Sequence, residues 1–282
     1  VNIGRLAAAL CAAVLVVAGC SEPDRHAELL VGSTADANST LLAAVYVAAL
    51  RSYGFPARAD IAGNPMAELD TGEVTVVPAY TGRVLRGLQP GASALSDKQV
   101  YQAMNSALPE GIAAGDYATA AGDKPTLVIT PGTSATWGGS DLSLLPEHCA
   151  GLRLGVVGNT RVPAAVGSCR LPPPREFPDD TALFAALRNG ELTAAWSTAA
   201  DPRVPSDLIA LADSSKDSLI QAENVVPLYR RNALSTRELL AINEIAGVLD
   251  TAALADMRRK VATGADPQAV ADGWLAEHPL GR

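Results

Sequence analysis

The stretch Gly72-Glu73-Val74-Thr75-Val76-Val77-Pro78-Ala79-Tyr80-Thr81-Gly82-Arg83 decides how the rest of the chain is read. Val74 to Val77 are all β-branched, which predicts a short buried strand. Pro78 has no N–H to donate and is expected to end the ladder. Tyr80, Thr81 and Gly82 then offer a ring, a hydroxyl and a permissive backbone at the C-terminal edge of that strand. Open α/β sheets bind their ligands at this edge. Taken alone, the stretch is equally an ordinary strand-to-helix turn, so its surroundings must decide.

Upstream, Ala27 to Ser33 is an apolar strand ending in Gly32-Ser33. Leu41 to Arg51 has apolar residues on nearly every side and predicts a helix packed on a sheet, stopped at Gly54. A strand over Ala57 to Ile61 and a short helix over Pro65 to Leu69 lead into the quoted stretch. Strand, helix, strand, helix, strand predicts a parallel α/β lobe with right-handed crossovers. Downstream come a helix capped by Ser96, a strand over Thr126 to Thr130, and a Gly/Ser/Thr-rich loop from Gly132 to Ser140. That loop holds Trp137, a candidate ligand contact. A strand over Leu152 to Gly158, a Pro-rich connector from Leu171 to Pro178 and a helix over Asp180 to Leu187 follow.

The segment Asn189 to Thr198 echoes the opening one. In each, a helix of the form Ala-x-Leu-x-x-Gly-Glu feeds a strand that ends in an aromatic residue followed by Ser or Thr: Tyr80-Thr81, then Trp196-Ser197-Thr198. Two such lobes describe a cleft between domains, against the alternative of a chance repeat of a common turn. Leu208 to Leu211 predicts a further strand, and Val225 to Tyr229 the return to the first lobe. Helices over Thr236 to Leu249, Asp250 to Ala262 and Asp266 to Glu277 close the chain. The expected division is 28–124 for the first lobe, 125–223 for the second and 224–282 for the return.

Charge limits the partners. With 22 basic against 30 acidic side chains and a net charge of −8, nucleic acid is not expected as a partner. No Gly-x-Ser-x-Gly occurs and no His has an evident nucleophile partner, so no enzyme and no catalytic residue is expected. His26, His148 and His278 are scattered and the Cys residues lack metal spacing; neither a metal nor any other cofactor is expected.

Residues 1–19 combine Arg5 with an apolar core over Leu6 to Val17, and Val17-Ala18-Gly19-Cys20 resembles a bacterial lipoprotein box. The resemblance implies a signal peptide over 1–19, acylation of Cys20 and a polar tether over 20–27. The chain would then be lipid-anchored at the extracytoplasmic face of the cell membrane. In that oxidising setting Cys149 and Cys169 are expected to pair, the alternative being two unpaired thiols in the core.

Several motifs in this order carry a wider resemblance: Val31-Gly32-Ser33, the Gly-Glu-Val strand into Pro78-x-Tyr80-Thr81-Gly82, the Gly-Glu helix end into Trp196-Ser197-Thr198, Val226-Pro227, and Asp266-Pro267-x-x-Val270-Ala271-x-x-Trp274-Leu275. Over about Leu29 to Leu280 the chain resembles the substrate-binding proteins of quaternary-amine ABC importers, the OpuAC- or ProX-like proteins for glycine betaine, choline and carnitine. The resemblance implies an α/β, two-lobed type II periplasmic-binding-protein fold with an interlobe ligand cleft, and hand-over of the solute to a separate permease and ATPase. A quaternary ammonium cannot donate a hydrogen bond, so ring faces hold it. By resemblance Tyr80 and Trp196 are the cage walls, with Ser33, Thr34, Thr81, Arg83, Ser197 and Thr198 as polar contacts.

The chain also departs from the family. Ala79 and Arg83 stand where Glu and Thr are usual, and Thr34 where Lys is common. A Tyr near Thr126 to Val128 is missing, and the arginine-bearing segment is altered to Gly158-Asn159-Thr160-Arg161. Arg83 reads either as a relocated carboxylate partner or as a solvated surface residue. An altered cage also admits a second reading, an envelope lipoprotein of the same fold used for protein interaction or signalling.

Overall fold

The computed structural model describes residues 28–158 and 160–281; the signal peptide and Cys20 expected from the sequence lie outside them. In chain order the elements begin with strand β1 (Leu29–Ser33), helix α1 (Ala37–Ser52), β2 (Ala57–Ile61), α2 (Pro65–Thr71), β3 (Val76–Tyr80), α3 (Thr81–Leu88), α4 (Asp97–Ala107) and β4 (Ile112–Ala114). There follow β5 (Pro125–Ile129), α5 (Pro131–Trp137), a 3₁₀ turn (Leu142–His148), β6 (Leu154–Val157), the hairpin β7 (Ala165–Val166) and β8 (Cys169–Arg170), and β9 (Arg175–Phe177). Then come α6 (Asp180–Arg188), β10 (Ala194–Thr198), β11 (Ile209–Ala210), β12 (Val225–Arg230), α7 (Thr236–Val248), α8 (Thr251–Ala262) and α9 (Pro267–Glu277).

These strands build two five-stranded sheets, ordered β2-β1-β3-β12-β4 and β11-β5-β10-β6-β9. The two echoing segments thus supply the central strand of each sheet. The helices that feed them, α2 and α6, are both followed by glycines in the left-handed region, Gly72 at φ 86° and Gly190 at φ 73°. There a side chain would be strained. The architecture is two-lobed α/β, as the resemblance implies.

The quoted stretch differs from its expectation in one respect. The strand runs Val76–Tyr80, and Pro78 lies inside it rather than ending it. Pro78 faces Pro227 of the antiparallel neighbour β12. Thr81 N donates to Asn224 O, whereas Pro227 O accepts from Gly115 N on the other side of β12. The alternation of an antiparallel ladder therefore makes Pro78–Pro227 a non-hydrogen-bonded pair, and neither missing N–H is needed there.

The first sheet is also mixed, not wholly parallel. β3 is parallel to β1 but antiparallel to β12, because β12 enters from the cleft end, with Val225 opposite Tyr80. β5 is likewise antiparallel to β10.

α1 carries ten consecutive buried residues, Leu41 to Leu50, the mark of a helix enclosed on all sides. It lies between the first sheet and the C-terminal helices α7, α8 and α9. The expected loop after Thr130 is instead the short helix α5. Thr130 caps it by accepting from Thr133 N at 3.1 Å, Pro131 occupies its first turn, and Gly138 ends it. Trp137 is consequently buried in the second lobe, stacked on His148 with ring centroids 4.9 Å apart, and is no ligand contact. Cys149 and Cys169 are joined by a disulfide across 20 residues of sequence. Among the described residues no helix is long and apolar enough to cross a membrane.

Candidate functional site

Two chain segments cross between the sheets side by side. Asp123 N donates to Glu223 O at 2.9 Å, and Gly122 pairs with Asn224 in an antiparallel bridge. Beside them, Ala199, just beyond β10, donates its N–H to Lys124 O. Two acids therefore stand on the crossing itself, and both are buried.

Arginines from two helices meet them. From α8, the buried Arg258 donates through Nη2 to Asp123 Oδ2 at 2.9 Å and to Tyr80 Oη at 2.6 Å, and through Nη1 to Ala200 O at 3.0 Å. It ties the first sheet, the crossing and the end of β10 to one guanidinium. From α3, Arg83 Nη2 reaches Asp123 Oδ2 at 3.2 Å, and its backbone N–H donates to Glu223 Oε2 at 2.9 Å. Arg86 pairs with Glu223 Oε1 and with Gln221. Across the cleft Arg203 bridges Asp201 at 2.8 Å and Asp180 at 2.6 Å.

The protonation pattern follows. Burial pushes the Tyr80 hydroxyl up to about 12, although Arg258 pulls the other way. Burial likewise raises the Glu223 carboxyl, opposed by Arg86 and Arg83. Burial would also raise Asp201, but the hydrogen bonds from Arg203 and Ser197 outweigh it and hold that carboxyl low.

Three cavities meet around Arg83. One of about 500 Å³ lies against the first sheet, walled by Val77, Pro78, Ala79 and Tyr80, with Thr34, Asp36 and Asn38 at its polar end. A second, of about 260 Å³, lies against the second sheet and is lined by Trp196, Ser197, Thr198, Val156 and Arg161. The third, of about 300 Å³, is bounded by Asp123, Thr198, Arg203 and Arg258. Arg83 lines all three. Tyr80 and Trp196, the expected walls of one cage, face different cavities with Arg83 between them.

Not every expected contact residue reaches this space. Thr34 lines the first cavity with its hydroxyl donated to Asp36. Ser197 donates to Asp201 Oδ2 at 2.9 Å, and Thr198 lines two cavities. Thr81 is fully buried, and its hydroxyl accepts from Asn224 N at 3.1 Å, so it holds α3 to the crossing segment and lines none of the three. Ser33 lines none either; its Oγ is buried without a partner. Tyr80 keeps one ring face toward the first cavity, and Arg83 Cζ lies over the ring, 4.4 Å from its centroid.

Asp123, Glu223, Arg203 and Arg258 escape a reading by motif because none stands next to a recognisable one. Arg258 alone carries a signal. It shares the buried face of α8 with Leu254 and Met257, and a charge inside an apolar stripe calls for a buried partner. Among the described residues no group of three His, Cys, Asp or Glu side chains is placed to hold a metal ion.

The family model for the substrate-binding domain of an ABC-type glycine betaine transport system matches residues 175–277. A search of curated proteins found no match. Among solved structures, a glycine betaine/carnitine/choline ABC transporter protein superposes with a TM-score of 0.71 at 16% identity, covering 89% of this chain and 98% of that one. Apo YehZ from Escherichia coli gives 0.68 at 18% identity, covering 89% and 99%. An ABC-transporter choline-binding protein, solved with choline, gives 0.55 at 14%, covering 92% and 91%. At these identities the structural likeness speaks for the fold. The chain thus has the two-lobed type II periplasmic-binding fold and is an OpuAC-like substrate-binding protein, its family match lying over residues 175–277.

Proposed function

We propose that this chain is a lipid-anchored solute receptor at the outer face of the cell membrane. It takes a small quaternary-amine osmolyte of the glycine betaine, choline or carnitine type between its lobes and delivers it to the permease and ATPase of an ABC importer. The observation that carries the reading is the placement of the two central strands. β3 and β10 end beside cavities that share Arg83, one bringing Tyr80 and the other Trp196. Rings next to carboxylates suit a cation that cannot donate a hydrogen bond, and the paired crossing segments are a natural hinge for closure.

Calorimetric titration with glycine betaine, choline and carnitine tests the ligand class. Saturable binding that is lost in Trp196→Ala supports it, and absence of heat with all of them sinks it. The anchor is tested separately, by incorporation of labelled palmitate that disappears in Cys20→Ala. One observation favours a second reading, an envelope lipoprotein of the same fold that does not transport: the accessible face of Tyr80 is already covered by Arg83.

A further inference from the structure

The cavity beside Tyr80 has what a free cation seeks. It offers a ring face, an apolar wall including Val77, Val84 and Leu88, and the Asp36 carboxylate at its polar end. Burial would raise the Asp36 carboxyl, but the Thr34 hydroxyl, the N–H groups of Ser39 and Asn38, and Arg83 hold it below the ordinary range, so it is ionised at neutral pH. Into this place the chain puts a cation of its own. The Arg83 guanidinium sits 4.4 Å from the Tyr80 centroid. Asp123 pins it at 3.2 Å, while the side chain remains half exposed to the cleft.

We propose that Arg83 acts as a resident cation that sets the ligand specificity of the cleft, refusing a bare quaternary ammonium and accepting one that also carries a carboxylate. This inference rests on the solute-receptor reading above. A bare cation would have to displace Arg83 from the ring, or come to rest beside it, and like charges at contact distance in a partly desolvated cleft repel. A zwitterion meets no such conflict. Its carboxylate accepts from the exposed edge of Arg83, a charge-assisted contact. Its ammonium lies toward Trp196, in a cavity that also holds Asp180 and Asp201. The residue that stands where an ordinary contact was expected thus divides the osmolyte class by its anionic group.

The test is titration calorimetry of the full chain and of Arg83→Ala and Arg83→Gln with choline and with glycine betaine, thermal unfolding confirming that each protein is folded. Gln keeps the reach to Asp123 without the charge, so it carries the test if the shorter variant is poorly folded. The expected result is a gain of about tenfold or more in choline affinity in both variants, the scale of one ring–cation contact released, with no gain for glycine betaine. Choline affinity that is unchanged or weaker, or an equal rise for both ligands, overturns the proposal while saturable heat leaves the receptor reading standing. Absence of saturable heat with either ligand in all three proteins overturns the quaternary-amine reading and this inference with it.

Discussion

Arg258 is buried with its guanidinium spread over Tyr80, Asp123 and Ala200. Removing one partner of a buried ion pair leaves a charge that the interior cannot solvate. Arg258→Met is therefore expected to lower the free energy of unfolding by about 3 kcal/mol, read from urea denaturation. Asp213 makes the corresponding prediction for pH. Its side chain is enclosed, and burial alone would raise its carboxyl. Lys124 at 2.8 Å, the hydroxyls of Ser218 and Ser215, and the N–H of Leu219 outweigh that and hold it at about 2. A carboxyl depressed in the fold adds stability above its unfolded value and loses that stability as pH falls through the folded one. Stability should drop between about pH 4 and pH 2, by the order of 2 kcal/mol from this residue. In Asp213→Asn the urea midpoint should depend less on pH over that interval.

At the scale of elements, α3 is held unusually close to the crossing segment. A Cβ on Gly82 would stand 2.4 Å from the backbone oxygen of Ala222, and a backbone atom has little room to yield. Gly82→Ala, which would favour a free helix, is expected here to destabilise by about 1–3 kcal/mol, the usual cost of overpacking. An unchanged urea midpoint would show that the contact relaxes freely.

The same element shows how far the sequence could be read. The strand, the turn and the helix after Tyr80 were legible from β-branching, Pro78 and Gly82. So was the echo in Trp196-Ser197-Thr198, because helix ends and strand edges are written in neighbouring residues. The place of Pro78 within its strand was not, since it depends on Pro227 lying opposite, 149 positions later in the chain. Helix α5 was hidden by its Gly/Ser/Thr composition, although Thr130-Pro131 is a helix start. The arginine knot was hidden for a different reason. Its partners come from α3, α8 and the two crossing segments, and no local pattern relates them.

Over the whole molecule, the only disulfide among the described residues lies within the second lobe, tying the 3₁₀ turn to the β7–β8 hairpin. Replacing both Cys149 and Cys169 by Ser should lower stability by about 3 kcal/mol, the chain-entropy value for a loop of this order. The loss should appear as earlier protease cleavage around residues 149–169, with the first lobe's fragments persisting longer. The lobes differ in a further way. Every strand of the second sheet falls between Pro125 and Ala210, whereas the first sheet has β12 seated between β3 and β4. As the chain leaves the ribosome, the second lobe can assemble from contiguous residues, while β4 waits without a neighbour and one edge of β3 stays open. The lobe that is made first is therefore completed last. During that interval the uncovered strand edge beside Tyr80 is the part of the nascent chain most in need of a chaperone.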